Sequence, residues 1–316
     1  MAFLPPPGHQ ACYNPPLPLV APVPGGLWPG MAVSVQGVAR AQAERFRVDL
    51  ALGTLEEADI ALHVNPRFGS GVSVFNSRRG GRWEEELSRD LPPLHRGRAF
   101  EMVISVTPKG YRILVNGSFY QEFPHRMPPE NVKALKVAGD LELLSASVLG
   151  GVGACAPGGP VYPGCPGCDL PVMGQPPTLY PSVPFIATIP GGMIPKKTII
   201  IKGFVPHDAE RFSINLRVGP AGDVVLHVAP RIVEANAVVR NSFLNNCWGE
   251  EERELSRTSP FLRDLYFDLS IRCGNDRFKA FANGQPLFDF KHRVPAGPHV
   301  NTLEIEGDVV LSYVHF

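Results

Sequence analysis

The chain is built from short runs in which apolar and polar residues alternate or β-branched residues cluster. Such runs cover residues 31–36, 45–52 and 100–107 in the first half, and residues 198–202, 212–218 and 267–272 in the second. Turn-forming pairs such as Lys109-Gly110 and Asn116-Gly117 separate them. No segment shows the 3.6-residue apolar period that is typical of an amphipathic helix. The pattern therefore predicts an all-β protein, folded as sandwiches or barrels.

The second half of the chain repeats the first. His63-Val-Asn-Pro-Arg67 returns 164 positions later as His227-Val-Ala-Pro-Arg231. Further matches are Asn76-Ser77 with Asn241-Ser242, Trp83 with Trp248, His125-Arg126 with His292-Arg293, and Gly139-Asp140 with Gly307-Asp308. Copies of this length are whole domains in tandem. Composition predicts a Pro-rich tail over residues 1–16, a first domain over 17–149, a Pro/Gly-rich linker over 150–177 and a second domain over 178–316.

Composition argues against several classes of function. Lys plus Arg and Asp plus Glu both count 30, so the chain is neutral and lacks the positive charge of a nucleic-acid binder. No apolar run approaches the roughly 20 residues of a membrane-spanning helix, and the opening MAFLPPPGHQ lacks the apolar segment of a secretory signal. Cys165 and Cys168 have the spacing of a metal-binding pair. No second pair completes a tetrahedral site, so we expect free thiols and no bound metal.

One predicted strand of the first copy carries a row of hydrogen-bonding side chains. His63, Asn65 and Arg67 stand at alternate positions, so they share one face of the strand. Asn76 lies on the next predicted strand, and Trp83 and Glu86 follow shortly after it. A galactose ring suits this set, because its apolar C–H face stacks on an indole while its hydroxyls need donors and acceptors around the rim.

The same residues do not predict an enzyme. A glycosidase needs two carboxylates that flank the scissile bond, whereas each copy offers one in register, Glu86 or Glu251. Nothing in the set resembles a nucleophile with its base. We therefore expect no catalytic residues.

The motifs H-x-N-P-R, V-x-N and W-G-x-E-x-R, taken together, resemble the signature of the galectins, and the resemblance covers both copies. The segments NPPLPLVAPVPGGL and FDLSIRCGNDRFKAFANGQPLFDF are similar to members of that family with two domains in tandem. The resemblance implies two jelly-roll β-sandwiches of the concanavalin-like type that bind β-galactosides without calcium or any other cofactor.

The resemblance also implies a role for each residue of the motifs. In the first domain the galactose 4-hydroxyl would meet His63, Asn65 and Arg67, the 6-hydroxyl would meet Asn76 and Glu86, and the ring would stack on Trp83. In the second domain the same places fall to His227, Arg231, Asn241, Trp248 and Glu251, and Arg253 would reach the second sugar.

Each copy departs from the family pattern at a different place. In the first domain Ser88 replaces the motif arginine and Glu84 replaces the motif glycine. In the second domain Ala229 replaces the motif asparagine. Loss of that hydrogen-bonding group costs about 1–3 kcal/mol, or roughly ten- to hundredfold in affinity. We therefore expect the first domain to be the better binder of simple galactosides.

Two sites on one chain imply cross-linking of glycoproteins or glycolipids that carry lactose- or N-acetyllactosamine-type galactosides. Association with membranes would then be peripheral, through glycans, and the expected roles are adhesion and glycoprotein trafficking. The resemblance also implies synthesis in the cytoplasm and export to the extracellular space or cell surface without a signal peptide. The departures from the motif keep a second interpretation open, in which the chain, and its second domain above all, is an interaction module for proteins or extended glycans.

Three other residues are assigned structural roles. His125 and His292 are interpreted as structural histidines, and Trp28 as a core tryptophan. Trp83 and Trp248 are set apart from Trp28 because each lies in a polar loop rich in Glu and Arg.

Overall fold

A computed structural model describes residues 10–150 and 177–316 of the chain. These residues form two compact units, one from each half of the sequence. Residues 151–176 of the predicted linker, with Cys165 and Cys168, lie outside the described part. The helical content of the described part is a short 3-10 helix, Pro129–Asn131. None of its helical segments has the length and apolar character needed to cross a bilayer.

The first domain consists of two antiparallel sheets. Its strands, in chain order, are β1 (Gln10–Tyr13), β2 (Leu19–Pro22), β3 (Ala32–Ala39), β4 (Phe46–Ala51), β5 (Ile60–Arg67), β6 (Val72–Arg79), β7 (Arg82–Trp83), β8 (Leu87–Asp90), β9 (Ala99–Val106), β10 (Gly110–Val115), β11 (Ser118–Pro124), β12 (Ala134–Gly139) and β13 (Leu141–Leu149). One sheet has the order β1-β13-β3-β9-β10-β11, and the other has the order β2-β12-β4-β5-β6-β7, with β8 also paired to β6.

The second domain has the same plan. Its strands are β14 (Thr178–Leu179), β15 (Phe185–Thr188), β16 (Thr198–Val205), β17 (Phe212–Val218), β18 (Val224–Arg231), β19 (Ala237–Leu244), β20 (Cys247–Trp248), β21 (Leu265–Cys273), β22 (Arg277–Ala282), β23 (Gln285–Lys291), β24 (Val300–Gly307) and β25 (Val310–His315). The sheet orders are β14-β25-β16-β21-β22-β23 and β15-β24-β17-β18-β19-β20.

Each domain buries its own core between its two sheets. In the first domain Phe46 on β4 stacks on Phe100 on β9, with ring centroids 5.1 Å apart. The matching pair in the second domain is Phe212 on β17 and Phe267 on β21, at 5.7 Å. In both cases the two rings come from different sheets, so each pair joins the halves of a sandwich. The prediction of two tandem all-β sandwiches of the jelly-roll type is confirmed.

The repeated Gly-Asp pair holds the start of strand β4 in place. Gly139 adopts φ +112°, and a Cβ there would lie 2.6 Å from the Phe46 Cα, so only glycine fits. The carboxylate of Asp140 then accepts hydrogen bonds from the backbone N–H groups of Glu44 and Arg45, at 3.0 and 3.2 Å. These two bonds lower the pKa of Asp140. In the second domain Asp308 makes the same pair of bonds to Glu210 and Arg211.

The structure differs from the sequence-based expectation at two places near the N-terminus. Residues 10–13 of the predicted tail form β1, which pairs with β13 through Gln10 opposite Val148. Backbone pairing of this kind needs no apolar alternation, so no strand pattern marks these residues within the Pro-rich segment. Trp28 is not a core residue: it is 37% exposed, and its indole N–H donates to the Gly25 carbonyl at 3.0 Å.

Candidate functional site

A groove of about 620 Å³ crosses the first domain on the sheet that contains β4, β5 and β6. It is lined by Arg45, Phe46, Arg47, His63, Asn65, Arg67, Val74, Asn76, Trp83, Glu84, Glu86, Ala138 and Gly139. All six site residues predicted for this domain are among them. The structure therefore brings together side chains that span 24 positions of the sequence.

The row on β5 is organised by the neighbouring strands. His63 pairs in register with Asn76 on β6, and Asn65 pairs with Val74. The Asn65 amide donates to the Phe46 carbonyl at 2.5 Å, while its oxygen accepts from the Arg67 Nε at 2.9 Å. Asn65 is thus anchored to Phe46 by its amide nitrogen and holds the Arg67 guanidinium in place with its amide oxygen.

His63 is supported from beneath by a residue that the sequence reasoning missed. Its Nδ1 lies 2.5 Å from the Oδ1 of Asp49, which stands directly opposite on β4 and is fully buried. The Nε of Arg47 lies 3.6 Å from the other oxygen of the same carboxylate. Asp49 belongs to none of the sequence motifs, because in the sequence it is simply one polar residue within an alternating strand.

Trp83 forms the opposite wall of the site. It is 49% exposed, and its ring lies against that of His63 with centroids 4.8 Å apart. The hairpin that presents it turns through Gly80 and Gly81, at φ +57° and +76°, as the right-handed twist of a two-residue hairpin requires. A half-exposed indole beside a polar row provides an apolar platform rimmed by hydrogen-bonding groups.

Asn76 anchors the tryptophan hairpin. Its amide nitrogen donates to the Glu84 carbonyl at 3.0 Å, and its oxygen accepts from the Ser77 N–H at 2.8 Å and from Arg126 at 3.3 Å. An amide nitrogen has two N–H groups, so one remains for a ligand. In the second domain Asn241 makes the same three contacts, with Gly249, Ser242 and Arg293.

The anchoring arginines, Arg126 and Arg293, were also missed. Their signal was present, because the dipeptide His-Arg recurs at matching positions. The histidine of each dipeptide has a structural environment, as expected. The His125 Nε2 lies 2.8 Å from the Thr107 carbonyl, and that of His292 lies 3.1 Å from the Gly274 carbonyl.

Contact with Arg293 also explains the glycine that follows Trp248. A Cβ at Gly249 would lie 2.3 Å from Nη1 of Arg293. In the first domain Glu84 occupies this position, and its carboxylate accepts from the Ser77 hydroxyl and lies 3.6 Å from the Nε of Arg79. The departure at Glu84 is thus accommodated by a local polar network.

The second domain presents the other predicted set around Trp248, which is 55% exposed and 4.9 Å from the ring of His227. Asn245 and Asn246, at φ +50° and +61°, form its hairpin turn. His227 and Arg231 lie on β18 with Ala229 between them, and Asn241 pairs with His227 across the sheet. The gap left by the motif asparagine therefore lies in the middle of the polar row.

Charged residues surround the second site in a closed network. Glu251 contacts Arg253 at 2.7 Å and Arg231 at 3.2 Å. Glu234, which the sequence reasoning missed, contacts the same two arginines at 3.2 and 3.5 Å. The hydrogen bond from Arg253, helped by the charge of Arg231, lowers the pKa of Glu251.

The first site has no such network. Glu86 lines the groove and is exposed, and it forms no ion pair or hydrogen bond with any residue of the described part. Ser88 stands where the second domain has Arg253, and Arg67 is held by Asn65 instead of by carboxylates. The two sites therefore share the histidine, the tryptophan and the anchoring asparagine, and differ in what holds the arginine.

Chemically, both sites offer hydrogen bonds around an aromatic platform. Within residues 10–150 and 177–316 no group of three His, Cys, Asp or Glu side chains is close enough to hold a metal ion. Arrangements of this kind recognise a polyhydroxylated ligand through complementary donors and acceptors.

Comparisons with known proteins find one family in both domains. The family model described as galactoside-binding lectin matches residues 18–148 and 184–316, so it occurs once in each domain. The chain is 49% identical to galectin-4 of Sus scrofa and 47% identical to galectin-4 of Homo sapiens, over 99% of each chain. It is 32% identical to galectin-8 of Rattus norvegicus over 95% of both chains.

Proposed function

Because the chain belongs to the galactoside-binding lectins, the galectins, we propose that it cross-links glycoproteins or glycolipids through two unequal sites, of which the first binds simple galactosides more tightly. Membership of this family makes the chain a β-galactoside-binding lectin and not an enzyme.

The observation that carries the inequality is the contrast between Asn65 and Ala229. Asn65 bridges the Phe46 carbonyl and the Arg67 guanidinium, and it lies in the groove beside His63. Ala229 occupies the same place in the second row and offers no polar atom from its side chain. A missing partner for a sugar hydroxyl costs about 1–3 kcal/mol, which corresponds to roughly ten- to hundredfold weaker binding.

In place of the missing asparagine, the second site has an ordered network of charged side chains away from Ala229. The Nε and Nη2 of Arg253 both donate to the Oε2 of Glu251, and this pair is held by Arg231 and Glu234. Pre-ordered charged groups cost less entropy on binding. This supports recognition of extended glycans by the second domain, with the sugar beyond galactose supplying a larger share of the affinity.

Two sites on one chain also support cross-linking. Engagement of two glycans on one surface can multiply the apparent affinity by roughly 10²–10⁴. We propose that lactose- or N-acetyllactosamine-type glycans on cell surfaces are the ligands, that membrane attachment is peripheral through them, and that adhesion and glycoprotein trafficking depend on it. On this proposal the chain is made in the cytoplasm and exported without a signal peptide.

The cross-linking proposal is tested with vesicles that carry lactosylated lipid. The full chain should aggregate them, whereas Trp83→Ala and Trp248→Ala, each with one site removed, should bind without aggregating them. Free lactose should reverse the aggregation. Aggregation that survives both substitutions and excess lactose would favour the second candidate, an interaction module that works through protein contacts, for which the loss of the motif asparagine at Ala229 is the specific support.

A further inference from the structure

The histidine of each site rests on a different chemical group. In the first domain the Nδ1 of His63 faces the carboxylate of Asp49, at 2.5 Å. In the second domain the residue opposite His227 in register is Asn215, and the Nδ1 of His227 lies 2.6 Å from its Oδ1. The two supports occupy the same place on the strand that precedes the polar row, β4 or β17.

Both supports select the same tautomer of the imidazole. A carboxylate can only accept, so the Nδ1 of His63 carries the proton and donates it to Asp49. Asn215 donates from its amide nitrogen to Glu304 at 2.9 Å, which assigns its oxygen as the acceptor from the His227 Nδ1. In each neutral imidazole Nε2 is left as an acceptor, which suits a sugar hydroxyl that donates its one proton.

The two supports respond differently to a second proton. If His63 becomes charged, Asp49 forms an ion pair with it at hydrogen-bond distance. If His227 becomes charged, its direct neighbour is an uncharged amide, and the carboxylate of Glu304 stands one residue further away. Glu304 is itself engaged by Arg217 at 2.9 Å.

Other charged groups also lie around each histidine. Around His63 they are Arg67 on its own strand, Arg47 behind Asp49, Arg45, Glu84 and Glu86 along the groove, and Lys136 opposite Asp49 on β12. Around His227 they are Arg231, Glu251, Glu304 and Arg217. Burial, followed by the charge of Arg231, lowers the pKa of His227, and Glu251 and Glu304 oppose that shift.

We propose that Asp49 and Asn215 are positioning residues that give the two galactoside sites different pH ranges, so that mild acid weakens the first site before the second. The inference rests on the proposed galactoside binding. A hydroxyl that accepts from Arg67 donates its proton to the Nε2 of His63, and a charged imidazole has no lone pair to receive it. At a pH that charges only the first histidine, the chain changes from a cross-linker into a lectin with one working site.

The test compares pH profiles in full-length chains that have one site silenced. Trp248→Ala leaves the first site and Trp83→Ala leaves the second, and lactose affinity is measured by calorimetry from about pH 7.5 to about pH 5. Below the titration of the histidine, affinity falls by up to about tenfold per pH unit. We expect this fall to begin at higher pH in Trp248→Ala than in Trp83→Ala.

Exchange of the two supports separates charge from packing. Asp49→Asn in the Trp248→Ala chain should move the acid fall to lower pH, and Asn215→Asp in the Trp83→Ala chain should move it to higher pH. If Asp49 had only a packing role, its substitution would lower affinity by the same factor at every pH. His207→Gln is the matched control, since His207 also pairs with an aspartate, Asp264 at 2.7 Å, but is exposed; it should leave both profiles unchanged.

The outcomes distinguish this inference from the proposed function. Acid falls at the same pH in both silenced chains, or no movement after the exchange, would overturn the inference while leaving the lectin function intact. Absence of lactose binding near pH 7.5 in both chains would instead contradict the proposed function. If the second site proves too weak for calorimetry, Ala229→Asn strengthens it for the same comparison, and the imidazole resonances of His63 and His227, followed by NMR without ligand, give the order of protonation directly.

Discussion

The indole of Trp83 lies against the imidazole of His63, with ring centroids 4.8 Å apart and planes tilted by 57°. Trp248 and His227 reproduce the arrangement at 4.9 Å and 59°. In both domains the aromatic platform is therefore fixed relative to the residue that would accept from the sugar. The two domains share this pair of rings and the anchoring asparagine, Asn76 or Asn241, and differ in the residues that hold the arginine of the polar row.

Removal of either platform should abolish most of the binding at its own site. Tryptophan at the centre of a binding site contributes at least about 2 kcal/mol, so Trp83→Ala and Trp248→Ala should each weaken lactose binding at one site by about thirtyfold or more. Calorimetric stoichiometry would fall from two to one. Trp28→Ala is the matched control, because Trp28 is exposed to a similar degree but does not line the groove; a comparable loss there would point to unfolding.

Substitution of the central residue of the polar row should weaken lactose binding by the first domain and strengthen it in the second. Asn65→Ala should weaken the first site by ten- to hundredfold, since Arg67 loses its support and a sugar hydroxyl loses a partner. Ala229→Asn should strengthen the second site, by less, because Arg231 is already held by Glu234 and Glu251. Lactose titrations of the two variants check both directions, and an unchanged first site after Asn65→Ala would contradict the assignment.

Ser88→Arg should improve discrimination between lactose and free galactose in the first domain. The new guanidinium would have Glu86 as its partner, as Arg253 has Glu251 in the second domain. An exposed hydrogen bond from this guanidinium to the second sugar contributes about 0.5–1 kcal/mol, so we expect a two- to fivefold gain for lactose and none for galactose. Ser88→Gln, of similar length but uncharged, should show no gain. Equal gains for both sugars would place position 88 away from the second sugar.

Asp140 should contribute stability that depends on pH. Its folded-state pKa is lowered by the two backbone N–H groups that it accepts from. A lowered pKa means that the contribution is fully present above the unfolded value of about 4 and is lost as pH falls through the folded value. Asp140→Asn should therefore cost at most about 1 kcal/mol near pH 7 and much less near pH 2. Thermal unfolding at both pH values is the measurement. A difference that is independent of pH would contradict the assignment, and the exposed Asp90→Asn should have little effect.

Much of the fold followed from the sequence because the pattern is local and repeated. Alternation over residues 45–52 and 212–218 depends only on the two-residue period of a strand, and the matched motifs fixed two equivalent domains. Strand β1 was not predicted, because its residues are held by backbone hydrogen bonds to β13. Neither composition nor apolar alternation indicates such bonds. Trp28 was wrongly predicted to be a core residue, because the burial of a side chain depends on residues that are distant from it in the sequence.

The outline of the site could also be predicted from the sequence, because its pattern is local and repeated. His63, Asn65 and Arg67 share a face by strand periodicity alone, and the groove contains all three. Asp49 and Arg126 could not be assigned, since each reaches the site from another strand or loop through tertiary packing. Glu234 lies only three residues after Arg231, which it contacts, but it belongs to none of the sequence motifs. The partner of an arginine is likewise invisible in sequence: Arg67 contacts Asn65, while its equivalent Arg231 contacts two carboxylates.

The unequal strength of the two galactoside sites is measured by calorimetric titration of lactose into full-length Trp248→Ala and Trp83→Ala at neutral pH. The first variant retains only the site with Asn65, and the second retains only the site with Ala229. We predict one site in each chain, with lactose bound at least tenfold more tightly by Trp248→Ala. Equal affinities, tighter binding by Trp83→Ala, or no binding by Trp248→Ala would show that the first site is not the stronger one.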